Sequence, residues 1–295
     1  MPFHSFTHIM LHKEAGKGQF EIGLAYTDCF RAADTLIYTR EVIRKVGRKY
    51  GFHPTFLPKY SLDEWGCGSH VHISLSKNGI NVFKASDGSS QYGISKIGEA
   101  FMSGVLDHLP AILAFTAPHP TSYERLYSKD WNGRVVSWQK ENNYAKISTC
   151  RLPGADVVGH FVCPAFDACA NPYLGLASIL TAGIDGLRKD SSLPAPVDRE
   201  SRVNQEDYRR LPDCLTDSLN ALEEDTLFKD MMGENLMVCI KAIRKVRFKL
   251  WFLQYTRCIE FLFLLKNWLL QKRFIRYNEI RMNWLISSLY NSSMQ

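Results

Sequence analysis

The sequence predicts an α+β fold, and three observations carry that prediction. Short runs of alternating polar and apolar residues read as strands, and longer stretches with apolar residues three and four apart read as helices. The two kinds of element interleave without the regular strand–helix–strand period of a doubly wound sheet. No internal repeat is present, and 295 residues can hold one large domain or two small ones with a substantial core.

Residues 1–11 carry no assignable pattern. "EAGKGQFEIGL" places two brief alternating runs around Gly16-Lys17-Gly18, the signature of a tight hairpin. Residues 33–50 predict a helix with Leu36, Ile37, Ile43, Val46 and Tyr50 on its buried stripe and Gly51 as the stop. Strands are expected around 54–58 and 70–75. In "WGCGSHVHISL", residues 65–75, a period of two puts His70, His72 and Ser74 on one face and Val71, Ile73 and Leu75 on the other. Gly66 and Gly68 allow a close backbone approach.

A Gly/Ser-rich loop, "KASDGSSQYG", leads to a helix over 95–115 interrupted at Pro110. "APHPTSYERLYSKDWNGR" reads as a long polar loop. "ANPYLGLASILTAGIDGLRKD" is a strong helix opened by Asn171-Pro172, its small residues suited to close packing. Acidic, helix-prone sequence covers 213–245.

The net charge of +6 misleads. Residues 241–295 carry eleven Lys/Arg and two Asp/Glu, a balance of +9, which leaves −3 for residues 1–240. Charge therefore gives the body no nucleic-acid role. From Val246 the chain turns aromatic and basic, and Arg257, Glu260 and Lys266 interrupt any membrane span. A membrane-surface anchor is the weaker reading of this tail. Lys245-Val246-Arg247 is what a consensus splice donor spells in translation, so 246–295 reads as intron-derived. The eight cysteines (29, 67, 150, 163, 169, 214, 239 and 258) fall at no metal-type spacing, and reduced thiols in a cytoplasmic protein are expected. The first residues show no signal-peptide pattern.

Chemistry gathers at four places. Glu14 and Glu21 flank the Gly-Lys-Gly turn, and a hairpin can bring both to one side despite their odd spacing. His70 adds an imidazole, and Arg125 in "SYERL" adds a cation suited to a carboxylate or phosphate. Each piece alone is commonly surface decoration. Together, carboxylates and imidazole suit a hard divalent cation such as Mg²⁺ or Mn²⁺, the companion of phosphoryl transfer.

"EAGKGQFE", "GCGSHVHISLSKNGINVF", "PTSYERL" and "ANPYLGLASILTAGIDGL" occur in the order and wording of the glutamine synthetase catalytic domain. The resemblance runs over residues 12–245 and looks closest to the plant and fungal FluG-type, nodulin/glutamine synthetase-like branch. It implies an antiparallel sheet with flanking helices. It also implies an ATP-dependent glutamate–ammonia ligase that works through γ-glutamyl phosphate with Mg²⁺ or Mn²⁺, as a homo-oligomer. Carried over by position, Glu14 and Glu21 would hold one metal and His70 the other. Gly66 would lie against glutamate, Arg125 would hold its carboxylate, and His72 and Ser74 would face ATP phosphates.

The resemblance also marks departures. Two phosphate-facing arginines of the family fall on Asn143 and Ser148, a metal-binding glutamate on Val162, a basic residue on Pro164, and a flap glutamate on Trp131. The family's N-terminal β-grasp domain and two further metal-binding glutamates would lie upstream of the segments present. Losing one preorganised stabiliser of transition-state charge costs about 2.7–4 kcal/mol, and such groups act as a unit. Two readings follow: an ATP-dependent ligase active as written, though impaired by these losses, or a decayed paralogue without turnover that serves as an inert product or as a non-enzymatic scaffold or interaction subunit. A proline at 164 is expected to disturb a central strand.

Overall fold

The computed structural model describes residues 8–61, 63–85, 90, 92–127, 134–141, 145–152, 154, 157–197 and 208–271. Asn143 and Trp131 lie outside the described residues.

The expected hairpin is present. β1 (His8–Lys13) and β2 (Phe20–Leu24) pair antiparallel with Lys13 opposite Phe20 and His12 opposite Glu21. Gly18 turns the chain with φ of +68°, a conformation that favours glycine. Next, α1 (Cys29–Lys49) starts at an Asp28 cap whose carboxylate accepts from the Arg31 amide at 3.0 Å, and Gly51 follows its end at φ +78°.

The stripe expected on α1 is corrected. Ala33 and Arg40 are buried with Leu36 and Ile43 half-buried beside them, whereas Ile37, Val46 and Tyr50 are exposed. The helix docks through the side that carries Ala33, Leu36, Arg40 and Ile43, where Arg40 donates to the Ala170 carbonyl at 2.7 Å. A Cβ on Gly47 would sit 2.3 Å from Pro54 Cγ, so this side of the helix needs a residue without a side chain. The strand expected over 54–58 is absent; Pro54 and Pro58 bracket a segment without regular structure.

β3 (Val71–Ile73) enters a four-stranded sheet with β6 (Gln139–Lys140), β7 (Ser148–Arg151) and β8 (Val158–Cys163) in the order β3-β8-β7-β6. β8 pairs antiparallel with both neighbours, and β6 lies parallel to β7. β4 (Ser76–Lys77) and β5 (Ile80–Asn81) form a small hairpin whose Asn78-Gly79 turn has both φ positive, the preferred two-residue connection.

The core lies between this sheet and the helices. Phe161 of β8 meets Phe83 and Phe101, all fully or nearly fully buried. The expected helix over 95–115 is two helices, α2 (Lys96–Asp107) and α3 (Leu109–Thr116), broken at His108 with Pro110 in the first turn of α3. A proline is tolerated there because its missing N–H has no intrahelical partner. The segment expected as a polar loop contains α4 (Pro120–Tyr127), which buries Ser122, Tyr123 and Leu126. Arg125 therefore stands on a helix. α5 (Pro172–Lys189) is capped by the Asn171 side chain, as its opening predicted.

The acidic region folds as α6 (Leu215–Glu224), α7 (Thr226–Met232) and the start of α8 (Glu234–Gln271). α8 passes through Val246 without a break.

Candidate functional site

In the β1–β2 hairpin, His12 lies across from Glu21, and Glu14 follows His12 by two residues. A period of two and cross-strand pairing send all three side chains to one side. Their ligand atoms lie within 4.8 Å of one another. His12 Nδ1 stands 3.0 Å from the Lys13 carbonyl, which only accepts, so Nδ1 carries the proton. Nε2 lies 3.8 Å from Glu21 Oε2 and faces the carboxylates. The predicted pair Glu14–Glu21 is thus assembled, with His12 as a third donor that sequence reasoning missed. Spacing by two links His12 to Glu14, as it links His70 to His72, but the register that sets His12 opposite Glu21 is not written in that spacing.

The hairpin is tied to the glycine-spaced turn. Gln19 Nε2 donates to the Gly66 carbonyl at 3.0 Å, while its Oε1 accepts from the Gly16 amide at 2.9 Å. Lys17 pairs with Glu64 at 3.1 Å.

Gly66 and Gly68 are bare for a visible reason. A Cβ on Gly66 would fall 2.4 Å from Arg125 Cγ, so the arginine stem lies directly over that glycine. A Cβ on Gly68 would meet Arg125 Nη1 at 3.0 Å and the His70 ring at 3.4 Å. Arg125 and His70 therefore converge on one glycine. Arg125 is aimed from behind: its Nε donates to Asp167 Oδ1 at 2.7 Å, and Nη1 and Nη2 each donate to the Pro164 carbonyl at 3.2 Å. Asp167 is fully buried and also accepts from the Ser122 hydroxyl. Burial raises its carboxyl pKa, and the Arg125 guanidinium opposes that rise.

His70 and His72 share the open face that alternation predicted, with Ser74 just beyond β3 and also exposed. Solvent reaches His70, but surrounding protein, Arg125 and His72 hold its imidazole neutral, with a pKa lowered to about 4. For His72, burial lowers the pKa and the Glu21 charge opposes it, which places the hairpin carboxylate within electrostatic reach of β3. His70 itself belongs to no cluster of three metal-type donors among the described residues.

One cross-strand row decides how much chemistry the sheet can offer. His72 pairs with Val162, and Val162 pairs with Ser148. Val162 and Ser148 are both buried, so the row carries one imidazole and neither carboxylate nor guanidinium. Pro164 does not disturb the ladder as expected, because β8 ends at Cys163. It stops the strand, and its carbonyl serves Arg125. In the next position along the same face, Cys150 pairs with His160, whose Nε2 is 3.0 Å from His72 Nδ1. Burial and Glu141 push the Cys150 thiol up to about 11, while burial and His72 lower His160 to about 4. A separate cavity of about 510 Å³, lined by Tyr123, Tyr127, Leu215, Phe248 and Trp251, contains none of these groups.

The glutamine synthetase catalytic-domain family matches residues 4–258. The chain belongs to the glutamine synthetase family. Among its relatives, a glutamine synthetase of Halobacterium salinarum is 36% identical over 239 residues, covering 78% of this chain and 51% of the relative. A gamma-glutamylpolyamine synthetase of Streptomyces coelicolor is 33% identical over 241 residues, covering 79% and 51%. The crystal structure of a glutamine synthase homologue superposes with a TM-score of 0.71 at 27% identity, covering 82% of this chain and 55% of that one. The chain spans about half the length of the curated relatives it matches. The match also takes in residues on both sides of the 12–245 stretch that carries the quoted motifs.

Proposed function

We propose that this chain is the catalytic part of an ATP-dependent glutamate–ammonia ligase of the FluG-type branch, impaired in turnover. In this reading Gly66 and Arg125 face glutamate, and His72 and Ser74 face the phosphates of ATP. The observation that carries the impairment is the His72–Val162–Ser148 row, which holds one imidazole and neither carboxylate nor guanidinium. Phosphoryl transfer needs positive charge and fixed ions around the moving phosphoryl group, and this row supplies neither.

The metal complement divides. His12, Glu14 and Glu21 offer oxygen and imidazole donors close enough for one hard cation, Mg²⁺ or Mn²⁺. Such an ion, when bound, neutralises charge on nucleotide oxygens. For a second ion the residues do not fit, since His70 belongs to no group of three metal-type donors among the described residues and the Val162 side chain offers no donor atom. A cytoplasmic homo-oligomer is part of the same proposal.

Purified protein assayed for γ-glutamyl hydroxamate with Mn²⁺ and ATP is expected to give no product above background. Clear turnover that is abolished by Glu21→Ala would overturn the impairment and restore the active-ligase reading. The scaffold reading is favoured by one observation, the exposed apolar side of α1 formed by Ile37, Tyr38, Val42 and Val46. Calorimetry separates the two: the impaired ligase still binds Mn²⁺ and ATP, and a pure scaffold binds neither.

A further inference from the structure

We infer that His72, Cys150 and His160 form a site for a borderline-soft transition ion of the Zn²⁺ class, distinct from the hard-cation site in the hairpin. The three come from three adjacent strands, β3, β7 and β8, on one face of the sheet. Their ligand atoms lie within 4.8 Å of one another. Tetrahedral Zn²⁺ with bonds of about 2.0–2.1 Å to nitrogen and 2.3 Å to sulfur needs N···N near 3.3 Å and N···S near 3.6 Å. The two imidazole nitrogens already stand 3.0 Å apart, so an ion enters by a few tenths of an ångström of opening and by a rotation of the thiol.

Donor chemistry selects the metal. One thiolate and two imidazoles suit Zn²⁺ or Co²⁺ and disfavour Mg²⁺, which prefers oxygen. Binding breaks the Cys150 S–H bond, forms a metal–sulfur bond and releases one proton to solvent. Three protein ligands leave a fourth position for water, the pattern of an open site. The Tyr26 ring stands edge-on to His160 at 6.0 Å between centroids and shields one side of the cluster. The nucleotide reading calls for His72 but for neither Cys150 nor His160, so zinc and ATP phosphate would compete for that one imidazole.

Metal-free full-length protein, held in excess Mg²⁺ to occupy the hairpin, is titrated with Co²⁺. One equivalent is expected to raise a thiolate-to-cobalt charge-transfer band. Cys150→Ser should abolish that band, His160→Asn should weaken Zn²⁺ binding at least tenfold, and Glu21→Gln, which removes no proposed ligand, should leave the band in place. A wild-type protein without the band, or a band that survives Cys150→Ser, overturns the site. A second measurement needs no variant: X-ray absorption of the zinc-loaded chain should show one sulfur and at least two nitrogens around the metal. A shell of oxygen and nitrogen alone, or of several sulfurs, overturns it equally.

Discussion

His108 joins three helices through charge. Its Nδ1 is 2.6 Å from Asp225 Oδ2 and its Nε2 is 3.1 Å from Asp185 Oδ2. Ionised carboxylates only accept, so both ring nitrogens must carry protons. Burial lowers the pKa, but the hydrogen bonds to Asp225 and Asp185 outweigh it and raise the group above 6.5. A pKa higher in the folded state means that the stabilisation is complete below about pH 6.5 and is lost as pH rises through the folded value. The Tm difference between wild type and His108→Asn should therefore be largest near pH 6 and shrink in alkaline buffer; a difference that grows with pH would refute the assignment. Asp167 is a second residue-scale case. It is fully buried against Arg125, so Asp167→Ala removes the guanidinium's carboxylate partner and should cost about 3–5 kcal/mol in urea unfolding. His12 belongs here too, since its place opposite Glu21 follows from register, which residue spacing alone does not give.

At the scale of elements, α2 and α5 touch backbone to backbone. A Cβ on Gly104 would lie 2.2 Å from the Ala182 carbonyl, and one on Gly186 would lie 2.1 Å from the Ala100 carbonyl. Backbone cannot rotate away as a side chain can, so Gly104→Ala should push the helices apart and cost at least about 1–3 kcal/mol in thermal or chemical unfolding. The small residues of α5 announced this packing in the sequence. The stripe on α1 was read correctly only in part: Leu36 and Ile43 lie inward with Ala33 and Arg40, while Ile37, Val46 and Tyr50 are open, a split that pattern reading cannot foresee. α4 was taken for a loop because its histidine- and proline-bearing flanks hide a short period of buried residues, Ser122, Tyr123 and Leu126. α8 keeps one packed face through Met237, Ile240 and Arg244 to the half-buried Phe248 and Trp251. Phe248→Ala should accordingly lower stability by about 1–2 kcal/mol, the value of a half-buried large side chain.

For the whole molecule, the basic excess sits in residues 241–295 and the chemistry in the hairpin and sheet. No helix among the described residues is long and apolar enough to cross a membrane. The tail is not expected to act as a surface anchor: sedimentation with anionic vesicles should be equally low for the full chain and for a variant lacking 246–295. Vesicle binding that disappears with the deletion would reverse that expectation.

By itself the sequence determined the family, the α+β class, the hairpin with its two carboxylates, and the shared face of His70 and His72, because local periodicity and short motifs encode those features directly. Only the tertiary structure decided that Cys150 and His160 meet His72, that His12 completes the hairpin donors, and that Pro164 ends a strand it was expected to break. Those facts depend on cross-strand register and on where strands stop, and pairing between segments some 90 residues apart leaves no trace in the spacing within any one of them.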